Sequence, residues 1–182
     1  MRMSRAAVER GWLWSTIAGA AVYAVSALLD FRLKMLSGVS VSDLDGFSSA
    51  VQYRLAFHAW APEAYAVQAG FVLGFAYLLM PLYAASFFFS GVVVAERFTP
   101  GRSPLRRWVL WAAMVAPAAA LLDAFGKALQ FAMLFSGPSD LVGRLCVSLE
   151  SAKGVAMTVG VALLLGALVV RFERWRRRKT AS

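Results

Sequence analysis

Four ionisable residues stand inside otherwise apolar runs: Asp123 and Lys127 in one, Glu150 and Lys153 in the next. An unpaired charge at mid-bilayer costs roughly 2.5–3.5 kcal/mol on insertion scales, so groups placed there are expected to be paired, functional or both. Their spacing allows pairing. Asp123 and Lys127 are i, i+4 and Glu150 and Lys153 are i, i+3, so each couple shares one helical face. Folding the two runs into an antiparallel hairpin about Ser136-Gly137-Pro138-Ser139 sets residues level when their numbers add to one constant. Asp123 with Lys153 and Lys127 with Glu150 meet that condition almost equally well, which predicts a neutral four-charge cluster between two helices. At ~1.5 Å of rise per residue from Leu141, Glu150 lies roughly 13 Å and Lys153 roughly 18 Å along its helix, in the outer half to the middle of the membrane. Two chemistries are open to such a cluster. It can clamp two helices together, or it can line a polar cavity where a carboxylate exchanges a proton or meets a ligand. Asp30, at the outer end of the first apolar run, is expected either to join it or to mark the membrane boundary.

The elements that must hold these residues are legible from hydropathy. With 182 residues, 60% apolar and 16% charged, the chain is too apolar for a soluble domain, where the apolar share is nearer 45–50%. Only a helix satisfies its own backbone in hydrocarbon, so long apolar runs read as membrane-spanning helices. Four spans are expected, at about 11–30, 64–95, 105–135 and 141–170, forming one membrane domain over 1–182: an all-α four-helix bundle. Trp12 and Trp14 fall where an aromatic belt belongs. The basic start of span one, with Val25-Ser26-Ala27, also fits a cleaved signal peptide, although the run exceeds the usual ~7–15 residue hydrophobic core.

The outer loop, 31–63, is the longest polar interval. Within it, 48–60 places Val51, Leu55 and Ala59 at i, i+4, i+8, which predicts a short amphipathic helix on the membrane surface, capped by Asp43 or Asp45 and ended near Pro62. Span two carries Gly70-Phe-Val-Leu-Gly74, a small-xxx-small pattern for helix packing, and Pro81, expected to kink it. Span three carries alanines at 112, 116, 120, 124, 128 and 132, which predicts a smooth packing face, and Pro117, a second expected bend.

Charge distribution sets orientation. The N-terminal segment has Arg2, Arg5 and Arg10, the turn between spans two and three Arg97, Arg102, Arg106 and Arg107, and the tail 171–182 Arg171, Arg174, Arg176, Arg177, Arg178 and Lys179. The other side has only Arg32, Lys34, Arg54 and Arg144. The side richer in Lys and Arg is cytoplasmic, so both termini are expected inside a bacterial-type inner membrane. The formal charge of +9 sits beside the spans instead of forming a stripe with interleaved aromatics, which excludes a nucleic-acid interface. The tail can also hold anionic headgroups.

Other chemistry is scarce. A single cysteine, Cys146, excludes an internal disulfide and a multi-thiolate metal site, and reads as a small buried apolar residue. His58 is the sole histidine, so no bis-histidine haem or histidine-rich zinc site is expected, and no cofactor or metal. Phe87-Phe88-Phe89 reads as core or lipid-facing surface.

At Leu121-Leu122-Asp123 with Lys153 across the turn, and at the stretch from Gly74 to Tyr83, the chain resembles an uncharacterised family of small bacterial four-span inner-membrane proteins. Those carry an acidic residue and an Asn three and four positions after the Asp, where this chain has Gly126 and Lys127. The resemblance implies the four-span architecture and no activity. Architecture alone also suggests an analogy with four-span sterol isomerases and sigma-2-like proteins, which hold acidic residues in an outer cavity. Two functions follow as expectations: a non-enzymatic bundle that binds a lipid-like ligand or a membrane partner, or an enzyme acting on a lipid or sterol-like substrate through Asp123 or Glu150. A proton-coupled carrier is less favoured, since four spans without an inverted repeat seldom alternate access alone.

Overall fold

The chain runs up, across, down, up and down. The computed structural model describes residues 4–98 and 104–179, apart from the side chains of Glu63, Arg174, Trp175 and residues 177–179. Among them are five α-helices and no strand: α1 (Arg5–Ser37), α2 (Ala50–Ala59), α3 (Glu63–Ala95), α4 (Pro104–Ser136) and α5 (Asp140–Lys179), with a 3-10 turn at Ser42–Gly46 before α2. All but α2 are long and apolar enough to cross a membrane. The helices overrun the expected spans because helical geometry continues past the apolar stretch at both ends. Of the basic residues that set orientation, Arg2 and Arg102 lie outside the described residues, as do the side chains of Arg174, Arg177, Arg178 and Lys179.

Each helix end has a local cause. Ser4 caps α1 by accepting from the Ala7 N–H, and Gly38, at φ 81°, ends it in the left-handed conformation that favours glycine, returning its N–H to Lys34 O at 2.8 Å. The cap of α2 is a reciprocal Ser49/Gln52 box, not the expected Asp43 or Asp45, because Ser49 is the residue in extended conformation three positions before Gln52. Pro81 and Pro117 both lie inside uninterrupted helices, α3 and α4.

Helix α3 is the centre of the bundle. Antiparallel to it, α1 is held by side-chain pairs along its length: the Trp12 indole N–H donates to Ser90 Oγ at 2.8 Å, Thr16 and Ser86 hydroxyls meet at 2.7 Å, and Gln68 Nε2 donates to Leu29 O at 2.8 Å. Trp12 is therefore core, 4% exposed, while Trp14 on the opposite face is 67% exposed, so only Trp14 fits the expected belt. On its other sides α3 needs glycine for close approach. A Cβ on Gly91 would collide with Ala113 of α4, and one on Gly160 of α5 would collide with the ring of Phe87, which is buried in the mid-bundle core with Met80, Tyr83, Ala84 and Ala116.

The alanine ladder of α4 does not form one face. A step of four residues overshoots the ~3.6-residue turn by about 40°, so five steps rotate the row by about half the circumference. Ala116 is buried and Ala120 and Ala124 pack beside it, but Ala128 and Ala132 are exposed; the buried face is Ala113, Ala116, Ala119, Lys127, Gln130 and Met133.

Residues 38–62 fold back over one end of the bundle as a cap. Leu44, Tyr53 and Trp60 are sunk into it, with the Tyr53 hydroxyl donating to Leu44 O at 3.0 Å and the Trp60 indole to Val39 O at 3.0 Å. Helix α2 buries Ala50, Tyr53 and Ala56, and its C-cap residue Trp60 continues the inward row, which runs at steps of three and four from Ala50. Val51 and Leu55, expected to define its apolar stripe, point away from this core and are 57% and 67% exposed.

Candidate functional site

The polar cluster forms where α4, α5 and the cap meet, with α3 behind. From α5, Lys153 Nζ donates to Asp123 Oδ1 of α4 at 3.1 Å and to Glu150 Oε2 of its own helix at 2.6 Å. The Tyr83 hydroxyl of α3 donates to the other Asp123 oxygen at 3.2 Å, so both oxygens of that carboxylate are engaged. The matched register of the two spans thus brings Asp123 to Lys153 as expected.

The second expected pair does not form. Lys127 donates to Asp45 of the 3-10 turn, and Gln130 Nε2 donates to the same Asp45 oxygen at 2.9 Å. The reason is geometric. Glu150 lies one turn before Lys153 on the same face and is taken by it, while Lys127, nearer the cap end of α4, lies under the turn that carries Asp45. Lys127 is also the most enclosed charge of the cluster, its side chain 8% exposed.

Asp30 stands outside the cluster. It is 8% exposed, and its oxygens accept from the Val41 N–H at 2.7 Å and the Ser42 hydroxyl at 2.6 Å, so it ties the chain after Gly38 back onto α1 and helps set the 3-10 turn. Asp43, next in that turn, accepts from the Ser40 N–H at 2.8 Å and from Lys34 at 2.9 Å. Burial works against its charge, but the Lys34 ammonium and Ser40 outweigh it and hold the carboxyl below its usual value. Asp140 accepts from the Ala50 N–H at 2.6 Å and so pins α2 to the start of α5. Burial pushes the Tyr53 hydroxyl well above its ordinary range, keeping it a neutral donor.

Beside the charges lies a cavity of about 10 Å³, lined by Asp45, Asp123, Lys127, Gln130, Cys146 and Glu150 among others. That is the size of one water and admits no lipid or sterol. Cys146 is buried, its thiol 3.8 Å from Gly126 O, and His58 is exposed on α2. No three His, Cys, Asp or Glu among the described residues are grouped to hold a metal ion.

A larger concavity lies elsewhere. A groove of about 390 Å³ runs along the open face of α3, floored by Gly70 and Gly74 and walled by Val67, Phe71, Phe75 and Leu78. A Cβ at either glycine would meet nothing within 4 Å, so this small-xxx-small pair is not used inside the bundle.

Sequence reasoning missed Asp45, Gln130 and Tyr83 as members of the cluster. Gln130 was findable, since it lies one turn beyond Lys127 and two beyond Asp123 on the same face. Asp45 carries no such signal, because its place depends on how the loop folds. Comparison of the chain with protein-family models, curated proteins and solved structures finds no match.

Proposed function

We propose that this chain is a non-enzymatic multi-pass protein of a bacterial-type inner membrane, with both termini cytoplasmic and the 38–62 cap outside, that works by binding a transmembrane partner helix. The observation that carries the reading is the bare Gly70/Gly74 face of α3. Small residues one turn apart let a second helix backbone approach closely, and Val67, Phe71 and Leu78, all more than half exposed, supply the ridges on either side. In this orientation the exposed Val51 and Leu55 of α2 rest on the outer membrane surface as an interfacial helix.

The enzyme alternative has less behind it. Asp123 and Glu150 both spend their charge on Lys153, and the space beside them is water-sized. A lipid-acting site needs room for substrate next to its acid or base.

Site-directed cross-linking in intact membranes tests the reading, using full-length protein with Cys146 replaced by Ala. Cysteine at Phe71 or Leu78 is expected to cross-link to protein, and Gly74→Ile to abolish this without changing thermal stability. Cysteine at Leu121 on the exposed side of α4 is expected not to react. Cross-linking of lipid alone, or equal cross-linking from both faces, contradicts it. For topology, cysteine at Ser48 is expected to label from outside and cysteine at Ser4 only after permeabilisation.

A further inference from the structure

We infer that the polar cluster binds one small monovalent cation, in the cavity between the cap, α4 and α5. Formal charge is the first ground. Asp45, Asp123 and Glu150 carry three negative charges against two positive ones on Lys127 and Lys153, and the ion pairs join all five groups into two adjoining sets around one cavity. The other titratable side chains at or beside it among the described residues, Tyr77 and Tyr83 of α3, Tyr53 of α2 and Cys146 of α5, are neutral in their usual forms, so one negative charge is uncompensated. A net charge in a low-dielectric site attracts a counterion.

Gln130 is the second and independent ground. It is 2% exposed, and its Oε1 has no hydrogen-bond partner among the described residues. Its orientation is chemically determined: the Asp45 carboxylate only accepts, so the amide nitrogen must face it, and the carbonyl oxygen is left over. A buried acceptor without a partner is destabilising, and a cation or donor placed against it removes that cost.

Size and donor type select the class. About 10 Å³ holds one water-sized species, and the free donors are hard oxygens of carboxylates and an amide, which suit an alkali or ammonium ion. A calcium ion needs six to eight oxygens, and the three carboxylates, which Lys127 and Lys153 already occupy in part, line the cavity without being grouped to supply them.

The test is thermal unfolding of the full chain in phosphatidylcholine nanodiscs, in sodium, potassium, ammonium or choline chloride at equal ionic strength. At least one small cation is expected to raise the melting temperature saturably by several degrees over choline, with discrimination among the three. Glu150→Gln removes the excess charge but leaves an acceptor for Lys153, and is expected to flatten that response. Equal melting in all four salts, the same response in Glu150→Gln, or a response to pH but not to ion identity overturns the inference. Radioactive sodium and rubidium counted on the wild-type protein decide the case even if the variant fails to fold. About one displaceable ion per chain is expected, and none overturns it.

Discussion

Two seams of the bundle are built from different chemistry. Along the interior of α1 and α3 the polar contacts are neutral, Trp12 with Ser90, Thr16 with Ser86 and Gln68 with Leu29 O, and an ion pair, Arg5 with Glu96, lies only at the solvent-exposed end of the seam. Around α4 and α5 they are ionic, and the cap supplies one of the three ion pairs through Asp45. A neutral pair can be lost one at a time, with little consequence for its neighbours. An ionic set in low dielectric is coupled, so its integrity depends on every member, including one delivered by a loop. The charged seam therefore makes the cap part of the bundle, where the neutral seam needs no third party.

That contrast can be broken at graded points. The largest loss is expected for Asp45→Ala, which leaves Lys127 without an anion in contact among the described residues and should destabilise by about 3–5 kcal/mol in denaturant unfolding from lipid discs. Asp123→Asn is expected to cost less, about 1–3 kcal/mol, because Lys153 keeps Glu150. Exchanging Asp123 and Lys153 should rescue only part of either single reversal, since the new Asp at 153 would face Glu150 one turn away. Full rescue would mean that Glu150 does not share the site.

Breaking the neutral seam is expected to matter less: Ser90→Ala, which removes the acceptor of the Trp12 indole, should cost about 0.5–2 kcal/mol by the same unfolding measurement. A loss as large as that of Asp45→Ala would erase the distinction between the seams. The smallest effect concerns the rim of the cap. Because the Asp43 carboxyl is held below its ordinary 3.8, its contribution is present above that pH and is lost as the pH falls through the depressed value. Trp60 fluorescence should therefore report loosening of the cap in acid, and Asp43→Asn should remove that part of the pH dependence.

How much of this was legible in sequence differs between the seams as well. The four long helices follow from hydropathy, and the facing of Asp123 and Lys153 follows from helical period plus one turn, since both are local rules applied across a short hairpin. The roles of Asp45 and Asp30 were not legible, because a 3-10 turn pinned by Asp30 carries no periodic signal. The alanine ladder misled for the opposite reason: a pattern regular in sequence is not straight on a helix whose turn is 3.6 residues. Likewise Val51 and Leu55 outline a stripe on α2, yet Tyr53 and Trp60 bury more surface and take the inward position.

The pairing of Asp45 with Lys127 is the most enclosed ion pair between cap and bundle, and a double-mutant cycle on Asp45→Asn and Lys127→Met in lipid discs measures it most directly. Coupling of at least ~1 kcal/mol is expected, with the double variant more stable than the sum of the single losses. Additive losses, or a cap that loosens no more in Asp45→Asn than in wild type, would contradict it.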